Sequence, residues 1–307
     1  MRERFTDERL LEIEDDLAVI DEAVDLEPSL LWTPHGDGQE QFLRSPHPAR
    51  VMVPGNGFGK TVIMAREANH WARGNHPYQQ ATMPHPSKVL IYWFCEQFKQ
   101  FDALRELLEE ECLTKPYSWD GQKHEYTFDT GARMVISSYD RPWTDIQGIP
   151  CDLMCFDEEP PLKLWRESRR RRRTKRKTRF VIAATATQGE SWMEKEIWQP
   201  WADAHKAAGV PLDDAREKQL HRFFWVWDRG GIYSNPGADA EDIAEYDSQT
   251  WSSDEEKRVR QHGGFGRFNG RPVFDLKALA EMEAMIDEWD KARGPGRNRG
   301  ICRMEAA

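Results

Sequence analysis

A glycine-rich stretch between an apolar run and a helical pattern constrains this chain more than any other feature. Residues 51–61 read VMVPGNGFGKT, with three apolar residues, a glycine-rich turn and Gly-Lys-Thr at the start of the helical pattern. Such glycines let successive backbone N–H groups face phosphate oxygens, and the N-terminus of the next helix attracts negative charge. In this arrangement Lys60 contacts the β- and γ-phosphates of a nucleotide and Thr61 binds Mg²⁺. The stretch therefore predicts a strand, a phosphate-binding loop and a helix.

The loop departs from the usual phosphate-loop pattern at its first position, where Pro54 stands instead of glycine. The later positions still carry the glycines, the lysine and the hydroxyl that a phosphate cradle needs. The alternative interpretation is a glycine turn before a helix that binds no ligand. The predicted nucleotide contacts are Gly55, Asn56, Gly57, Phe58, Gly59, Lys60 and Thr61.

Two acids follow a second apolar run, in residues 153–158 (LMCFDE). A phosphate loop needs a partner carboxylate at the end of a neighbouring strand. We expect Asp157 to hold the Mg²⁺ ion and Glu158 to be the general base that activates the attacking water. Acids at strand ends also serve as simple helix caps. The order of the loop and the acidic strand end favours the catalytic interpretation.

Two further stretches fit a nucleotide site less specifically. Thr185, Thr187 and Gln188 follow the next apolar run, near the sheet edge where doubly wound folds bind ligands. Their hydroxyl and amide groups are candidates to report the state of the γ-phosphate to the rest of the protein. Upstream of the loop, the amide of Gln39 or Gln41 can both donate to and accept from an adenine edge. The plain alternatives are a threonine-rich strand end and a surface glutamine.

Short apolar runs alternate with helical patterns from residue 50 onward, which favours an α/β fold with a mainly parallel central sheet flanked by helices. The five cysteines show no metal-binding spacing, which predicts reduced, buried thiols. The sequence predicts strands at residues 50–53, 88–93, 134–138, 151–156, 180–185 and 223–227. It predicts helices at residues 60–73, 98–111, 161–171 and 192–207, a hairpin turn at 129–131, and short helices at 241–246 and 254–261.

The net charge of −10 conceals two segments of opposite sign. Residues 1–30 hold eleven carboxylates and three arginines on an amphipathic helical pattern, whereas residues 163–179 hold eleven bases and one acid. Because a polyanion responds to the local field, the basic segment is a candidate DNA-backbone contact. The alternatives are a solvated face, or a contact with an acidic neighbour such as the N-terminal helix of another subunit. The candidate DNA contacts are Arg169, Arg170, Arg171, Arg172, Arg173, Lys175, Arg176 and Lys177.

Together these motifs resemble the ATPase domain of the large terminase subunit, the motor that packages DNA into tailed bacteriophage capsids. The resemblance spans about residues 30–275. Gln39 and Phe42 match the adenine motif of the family. The other matching stretches are a deviant phosphate loop at 55–61, the region around the acidic strand end at 148–161, the coupling motif at 185–189 and the exit from the ATPase domain at 270–275.

This resemblance implies an ATP-hydrolysing motor with the P-loop NTPase fold, of the additional-strand, catalytic-glutamate type. Its implied cofactors are ATP and Mg²⁺. Its implied partners are double-stranded DNA, the capsid portal, the small terminase subunit and further copies of the chain in a ring. Lys60, Asp157 and Glu158 are then expected to act in hydrolysis, and residues 185–188 to couple hydrolysis to DNA movement. The expected location is the host cytoplasm, at the procapsid during packaging and not at a membrane.

Two departures from the family pattern matter. Family members often carry an arginine inside the loop, where this chain has Gly57 and Phe58. A charge-stabilising arginine is therefore expected from elsewhere, either from a neighbouring subunit or from this chain, with Arg141 and the arginines at 169–173 as candidates. The family also continues into a nuclease domain, for which residues 276–307 are too few, so we expect no DNA cleavage from this chain.

The expected organisation has three parts: an acidic helix at 1–30, an ATPase domain at 31–275 and a tail at 276–307. Within the second part, residues 228–275 are expected to form a C-terminal subdomain or linker. Two other functions stay open. One is a helicase-like, nucleic-acid-dependent ATPase, and the other is an assembly module that binds nucleotide and DNA without productive hydrolysis.

Overall fold

The computed structural model describes residues 19–20, 23, 32–35, 38–141, 150–172, 177–186 and 191–266. The chain divides into two units, residues 1–266 and 267–307, and every described residue belongs to the first. The predicted N-terminal helix lies mostly outside the described residues. Val19, Ile20 and Ala23 have helical backbone, and the side chains of Val19 and Ile20 are exposed.

Eight strands in the described part of the chain form a single sheet, which confirms the predicted fold class. In chain order the strands are β1 (Ala49–Met52), β2 (Leu90–Cys95), β3 (Tyr117–Asp120), β4 (Glu125–Phe128), β5 (Arg133–Ser138), β6 (Leu153–Asp157), β7 (Arg179–Ala183) and β8 (Phe224–Trp227). Their order across the sheet is β3-β4-β5-β2-β6-β7-β1-β8. All neighbours from β5 to β8 are parallel, and only β3-β4 and β4-β5 are antiparallel.

The helices confirm the alternating pattern of strand and helix. They are α1 (Gln39–Arg44), α2 (Lys60–Arg73), α3 (Phe101–Leu107), α4 (Leu162–Arg171), α5 (Gln199–Ala207), α6 (Leu212–Lys218), α7 (Ala240–Ser248) and α8 (Asp254–His262). The stretch predicted as one helix at 98–111 instead begins with a 3₁₀ turn (Phe98–Gln100), and α3 ends in a π-helical segment (Leu108–Cys112). A second π-helical segment (Glu194–Trp198) leads into α5. No helix in the described part of the chain is long and apolar enough to cross a lipid bilayer.

Apolar side chains cover both faces of the sheet, which explains why its central strands read as continuous apolar runs. Along β1, Met52 packs into one apolar cluster with Ile63 of α2, and Val51 packs into a second cluster with Trp165 of α4 and Trp201 of α5. The thiols of Cys95, Cys112, Cys151 and Cys155 are free and buried, as predicted. Cys302 lies outside the described residues.

The pairing register of β1, β6 and β7 places the carboxyl ends of these three strands side by side at one edge of the sheet. Ala183 of β7 pairs with Met52 of β1 on one side and with Asp157 of β6 on the other. The loop after β1, the acids that end β6 and the segment after β7 therefore leave the sheet side by side. These are the three stretches that the sequence marks for a nucleotide site.

Candidate functional site

The predicted phosphate loop connects β1 to α2 and surrounds a small cavity. Gly57 and Gly59 have left-handed backbone, with φ angles of 71° and 81°, a conformation that disfavours other residues. Gly59 is also the N-cap residue of α2, whose first N–H groups have no partner within the helix. A cavity of about 230 Å³ is lined by residues 56–62 together with Glu158 and Thr185.

Lys60 lies at the centre of this arrangement, and the residue is only 9% exposed. Its Nζ donates to the carbonyls of Pro54 (3.2 Å) and Gly55 (2.9 Å) and to the hydroxyl of Thr185 (2.9 Å). Burial lowers the pKa of Lys60, and the negative charges of Glu158 and Asp157 oppose that shift. The ammonium group is thus held between the loop and the end of β7.

Thr61 and Asp157 form a pair of oxygen donors next to the loop. The Thr61 hydroxyl donates to Oδ1 of Asp157 at 3.2 Å. Burial and, after it, the charge of Glu158 raise the pKa of Asp157 to about 7. Hydroxyl and carboxylate oxygens are ligands that Mg²⁺ prefers, and a bound cation favours the ionised carboxylate. The residues present therefore fit a magnesium ion.

Glu158 is held by two hydrogen bonds, one to the last residue of β7 and one to the segment that follows it. Its N–H donates to the carbonyl of Ala183, and its Oε2 accepts from the N–H of Thr185, both at 2.8 Å. Its backbone is left-handed (φ 69°), a conformation that costs a residue other than glycine about 1–3 kcal/mol and is concentrated at functional sites. Burial raises the pKa of Glu158, while Lys60 and the Thr185 N–H oppose the shift. A fixed carboxylate of raised pKa beside a phosphate loop suits a general base.

Thr185 connects the loop, the acids and β7. Besides its contacts to Lys60 and Glu158, its hydroxyl lies 3.3 Å from Oδ1 of Asn56 in the loop, to which it can donate. The structure thus places this predicted coupling residue in contact with the predicted catalytic residues. Thr187 and Gln188 lie outside the described residues.

Tyr139, which was not predicted from the sequence, contacts the backbone at the acidic end of β6. Its hydroxyl lies 3.1 Å from the carbonyl of Asp157 and 3.0 Å from that of Glu158. Its ring stacks near Phe94, with centroids 6.4 Å apart. A single tyrosine after a strand belongs to no recognisable motif. Tyr139 follows β5, and it lies near the end of β6 because β2 pairs with both strands.

Gln39, predicted to contact adenine, is 1% exposed and contacts the loop. Its Nε2 donates to the carbonyl of Phe58 (3.0 Å), and its Oε1 accepts from the N–H of His35 (3.3 Å). A second cavity, of about 420 Å³, is also lined by Phe58, together with His35, Trp227 and Arg229 among others. Its aromatic lining suits a planar base. Contact between Gln39 and a base stays a prediction.

The C-terminal segment of the described chain packs directly onto the loop. The N–H of Gly55 donates to the carbonyl of Gly230, and the N–H of Asn56 donates to the carbonyl of Arg260 in α8, both at 2.7 Å. A Cβ at Gly55 would lie 2.3 Å from that same Arg260 carbonyl. The approach of α8 to the loop therefore requires glycine at position 55, independently of any role in phosphate binding.

We expect Gly55→Ala to separate α8 from the loop, because the added methyl group meets backbone atoms that cannot move alone. Overpacking of this kind typically costs about 1–3 kcal/mol. The measurement is the free energy of unfolding from urea titration, together with nucleotide affinity. Gly121→Ala is the control, since its Cβ would meet nothing closer than 3.5 Å. Equal unfolding free energies for the two variants would contradict this explanation of Gly55.

Two arginines of the basic segment contact other parts of the chain, although Arg169, one of the two, is exposed. Arg169 lies over the rings of Phe223 (5.1 Å) and Phe224 (5.5 Å), and Nη1 of Arg172 donates to the carbonyl of Thr178 (3.1 Å). Arg170 is exposed and pairs with Glu167 at 3.3 Å, and Lys177 is exposed. Arg173, Lys175, Arg176 and the side chain of Arg171 lie outside the described residues. Contact of this segment with DNA stays a prediction.

Arg141, a candidate charge-stabilising residue from the sequence, follows β5. It lines a cavity of about 380 Å³ together with Tyr139 and Arg166. None of the residues that line this cavity belongs to the phosphate loop. Its role in hydrolysis stays a prediction.

Comparison with known proteins concerns the fold. No family model matches the chain, and no curated protein matches it. The large terminase ATPase domain of Thermus phage P74-26 superposes with a TM-score of 0.52 at 17% identity, over 75% of this chain and 93% of that domain. A mutant of that domain gives a TM-score of 0.49 at 17% identity, over 75% and 92%. The large terminase of a thermophilic bacteriophage, in complex with ADP, gives 0.43 at 14% identity, over 73% and 48%.

The structural match agrees with the architecture derived above, a mainly parallel sheet flanked by helices. At 17% identity the match is one of fold. This chain has the fold of a phage large terminase ATPase domain.

Proposed function

We propose that this protein is a Mg²⁺-dependent ATPase that moves double-stranded DNA into a viral procapsid. The observation that carries the proposal is the convergence of Lys60, Thr61, Glu158 and Thr185 around one cavity at the carboxyl edge of the sheet, with Asp157 hydrogen-bonded to Thr61. These residues come from three separate stretches of sequence, and Thr185 contacts both Lys60 and Glu158. The fold shared with a large terminase ATPase domain supports the packaging role.

Each of these residues has a role that follows from its chemistry. The loop N–H groups from Gly57 onward and Lys60 bind the phosphates, since those of Gly55 and Asn56 already donate to carbonyls of this chain. The hydroxyl of Thr61 and the carboxylate of Asp157 would hold Mg²⁺. When bound, the ion neutralises charge on the phosphate oxygens. Glu158 accepts a proton from the water that attacks the γ-phosphorus. Thr185 contacts both Lys60 and Glu158, so it senses changes at either one.

Coupling ATP hydrolysis to DNA movement requires a basic surface close to the residues that respond to hydrolysis. Arg170 and Lys177 are exposed at the end of α4 and before β7, and β7 leads to Thr185. A contact from such residues to phosphates grips the duplex without reading its sequence. This basic surface supports duplex DNA as a partner, and the resemblance to large terminases adds the capsid portal, the small terminase subunit and further copies of this chain as proposed partners.

The test of the proposed function is steady-state phosphate release with Mg²⁺, with and without duplex DNA. We expect the wild-type protein to release phosphate and Lys60→Ala to lower kcat/KM by about 10²-fold or more, since it removes the cation that contacts the phosphates. Lys257→Ala, an exposed lysine on α8, is the matched control and should keep the wild-type rate.

Two outcomes would point to the other functions. Tight nucleotide binding without phosphate release, at any protein concentration and with DNA present, would favour an assembly module that does not hydrolyse ATP. ATP-dependent separation of DNA strands would favour a helicase-like enzyme. Packaging of DNA into procapsids, measured by protection of the DNA from nuclease, would support the proposed motor.

A further inference from the structure

The hydroxyl of Tyr139 lies between the two peptide groups that flank the Cα of Glu158. Its Oη is 3.1 Å from the carbonyl oxygen of Asp157 and 3.0 Å from that of Glu158. The first carbonyl belongs to the peptide group before the Cα of Glu158, and the second belongs to the peptide group after it. A hydroxyl has one proton to donate, which these two oxygens share. The contact therefore restrains both backbone torsion angles of Glu158.

This double contact requires the unusual backbone of Glu158. Successive carbonyls of an extended strand point to opposite sides, so one hydroxyl could not reach both of them. They point to the same side where the residue between them has a helical conformation, and Glu158 has the left-handed one, with a φ angle of 69°. A residue other than glycine keeps this conformation only where the surrounding structure holds it. The Tyr139 hydroxyl supplies such a hold.

The left-handed backbone decides where the two carboxylates point. Side chains of successive strand residues face opposite sides of a sheet, so a regular strand through residue 158 would separate the two acids. Instead the carboxylate of Asp157 accepts from the Thr61 hydroxyl, and that of Glu158 accepts from the Thr185 N–H. The charges of both carboxylates act on Lys60, where they oppose the lowering of its pKa by burial. The turn at Glu158 thus brings both acids to one site.

Tyr139 has its own anchor on the strand next to the acids. Its N–H donates to the carbonyl of Cys95, the last residue of β2, at 3.0 Å, and β2 pairs with β6. Its ring stacks near that of Phe94. Burial raises the pKa of Tyr139 well above its ordinary value, and the charges of Asp157 and Glu158 raise it further. The hydroxyl therefore stays protonated and remains a donor.

We propose that Tyr139 is a positioning residue for the proposed ATPase, whose hydroxyl holds Glu158 in the left-handed conformation and so fixes the carboxylate that accepts a proton from water. The proposal rests on the proposed function and deepens it. Tyr139 acts through Glu158, since its hydroxyl contacts backbone carbonyls. Without the hydroxyl, these carbonyls lose a donor and Glu158 is free to relax toward an extended backbone. Nucleotide binding depends on the loop and Lys60, so the loss should affect turnover more than affinity.

The first experiment compares wild-type protein with Tyr139→Phe, which keeps the ring and removes only the hydroxyl. We expect kcat to fall by about 10-fold or more, because a misplacement of about 1 Å in a reacting group can cost about 10²-fold. Affinity for a non-hydrolysable ATP analogue with Mg²⁺, measured by calorimetric titration, should stay within about twofold of wild type.

Tyr126→Phe is the matched control. Tyr126 is buried in β4, its hydroxyl donates to Oε1 of Glu109 at 2.7 Å, and neither residue lines the phosphate-loop cavity. The control variant should therefore keep the wild-type kcat. An unchanged kcat in Tyr139→Phe would overturn the inference. A joint fall of kcat, analogue affinity and Tm in that variant would overturn it too, because it would show general support of the fold rather than positioning of Glu158.

A double variant tests whether Tyr139 acts through the Glu158 carboxylate. Glu158→Gln has no proton acceptor left to position, so adding Tyr139→Phe should change its residual kcat by less than about twofold. A fall by the same factor as in the wild-type background would contradict the inference, since the hydroxyl would then act independently of Glu158.

Amide hydrogen exchange supplies a measurement that needs no turnover. The Thr185 N–H donates to Oε2 of Glu158, so we expect it to exchange about 10-fold or more faster in Tyr139→Phe. The N–H of Ala184, which donates to the carbonyl of Met52 at 2.9 Å, is the internal control. Equal exchange at Thr185 in both proteins would overturn the inference and leave the proposed function intact. Wild-type protein that binds ATP without hydrolysing it would contradict the ATPase, and exchange at Thr185 would still decide whether Tyr139 holds Glu158.

Discussion

Glu158→Gln is expected to abolish ATP turnover and to leave nucleotide binding close to that of wild type. The amide has the shape of the carboxylate, and its oxygen can still accept the hydrogen bond from the Thr185 N–H. It cannot accept a proton from water. Since general-base catalysis typically contributes 10²–10⁴-fold, we expect kcat to fall by about that factor. Phosphate release and calorimetric titration with an ATP analogue measure the two effects separately.

The charge at position 158 also bears on stability. Burial raises the pKa of Glu158, which means that the fold disfavours the ionised form. A neutral amide at this position should therefore not destabilise the protein, so loss of turnover cannot be attributed to unfolding. Glu159→Gln is the matched control, because it changes the adjacent carboxylate and should keep kcat within a few-fold. Turnover at the wild-type rate in Glu158→Gln would remove Glu158 from the catalytic role.

The phosphate loop and α2 could be predicted closely because their signals are local. Glycine conformations, a helix N-terminus and apolar periodicity each act within a few residues, and α2 spans Lys60–Arg73 as predicted. The apolar runs of β6, β7 and β8 are recognisable for a similar reason, since strands covered on both faces carry few polar residues.

Elements with weak local signals were missed. β3 (Tyr117–Asp120) lies at the edge of the sheet and is only half buried, so its sequence lacks a clear apolar pattern. α6 (Leu212–Lys218) is predominantly polar, and among its described side chains only Ala215 is buried in the core, while α1 (Gln39–Arg44) has just six residues. Such short elements depend on tertiary contacts more than on their own propensity.

The supporting residues of the site could not be predicted because long-range pairing brings them there. Tyr139 reaches the acidic strand end through neighbouring strands, and Arg260 reaches the loop through α8. The ring contacts of the basic segment also had no local signal: Arg169 and Arg172 lie over the ring of Phe223. The sequence shows the charge of these arginines but not which aromatic ring of the chain each one lies over.

A buried ion pair between α2 and β1 also could not be predicted from the local sequence. Arg50 of β1 and Glu67 of α2 have fully buried side chains and form an ion pair. Nη1 of Arg50 also donates to the carbonyl of Phe42 at 3.0 Å. On the other side, Glu67 accepts from Nε1 of Trp71 at 2.7 Å and lies 2.9 Å from Nε2 of His76. The pair therefore ties α2 to β1 through a connected polar network.

Glu67→Gln is expected to lower the free energy of unfolding by about 3–5 kcal/mol, because it leaves the Arg50 charge buried without a counter-charge. Burial alone would raise the pKa of Glu67, but Arg50 and His76 outweigh it and hold that pKa well below its ordinary range. The carboxylate is therefore ionised in the fold, and its charge is what the variant removes. Urea unfolding measures the change, with Glu40→Gln as control, since Glu40 pairs with Arg44 on the surface, where such pairs contribute about 0–1 kcal/mol.

Removing both charges should be less harmful than removing one. In Arg50→Met/Glu67→Met no unpaired charge remains, and well-packed apolar replacements of buried ion pairs are often neutral or stabilising. We therefore expect the double variant to unfold at a higher urea concentration than Glu67→Gln alone, although it also loses the hydrogen bonds to Phe42, Trp71 and His76. A double variant less stable than Glu67→Gln would show that these hydrogen bonds, rather than the paired charges, hold α2 against β1.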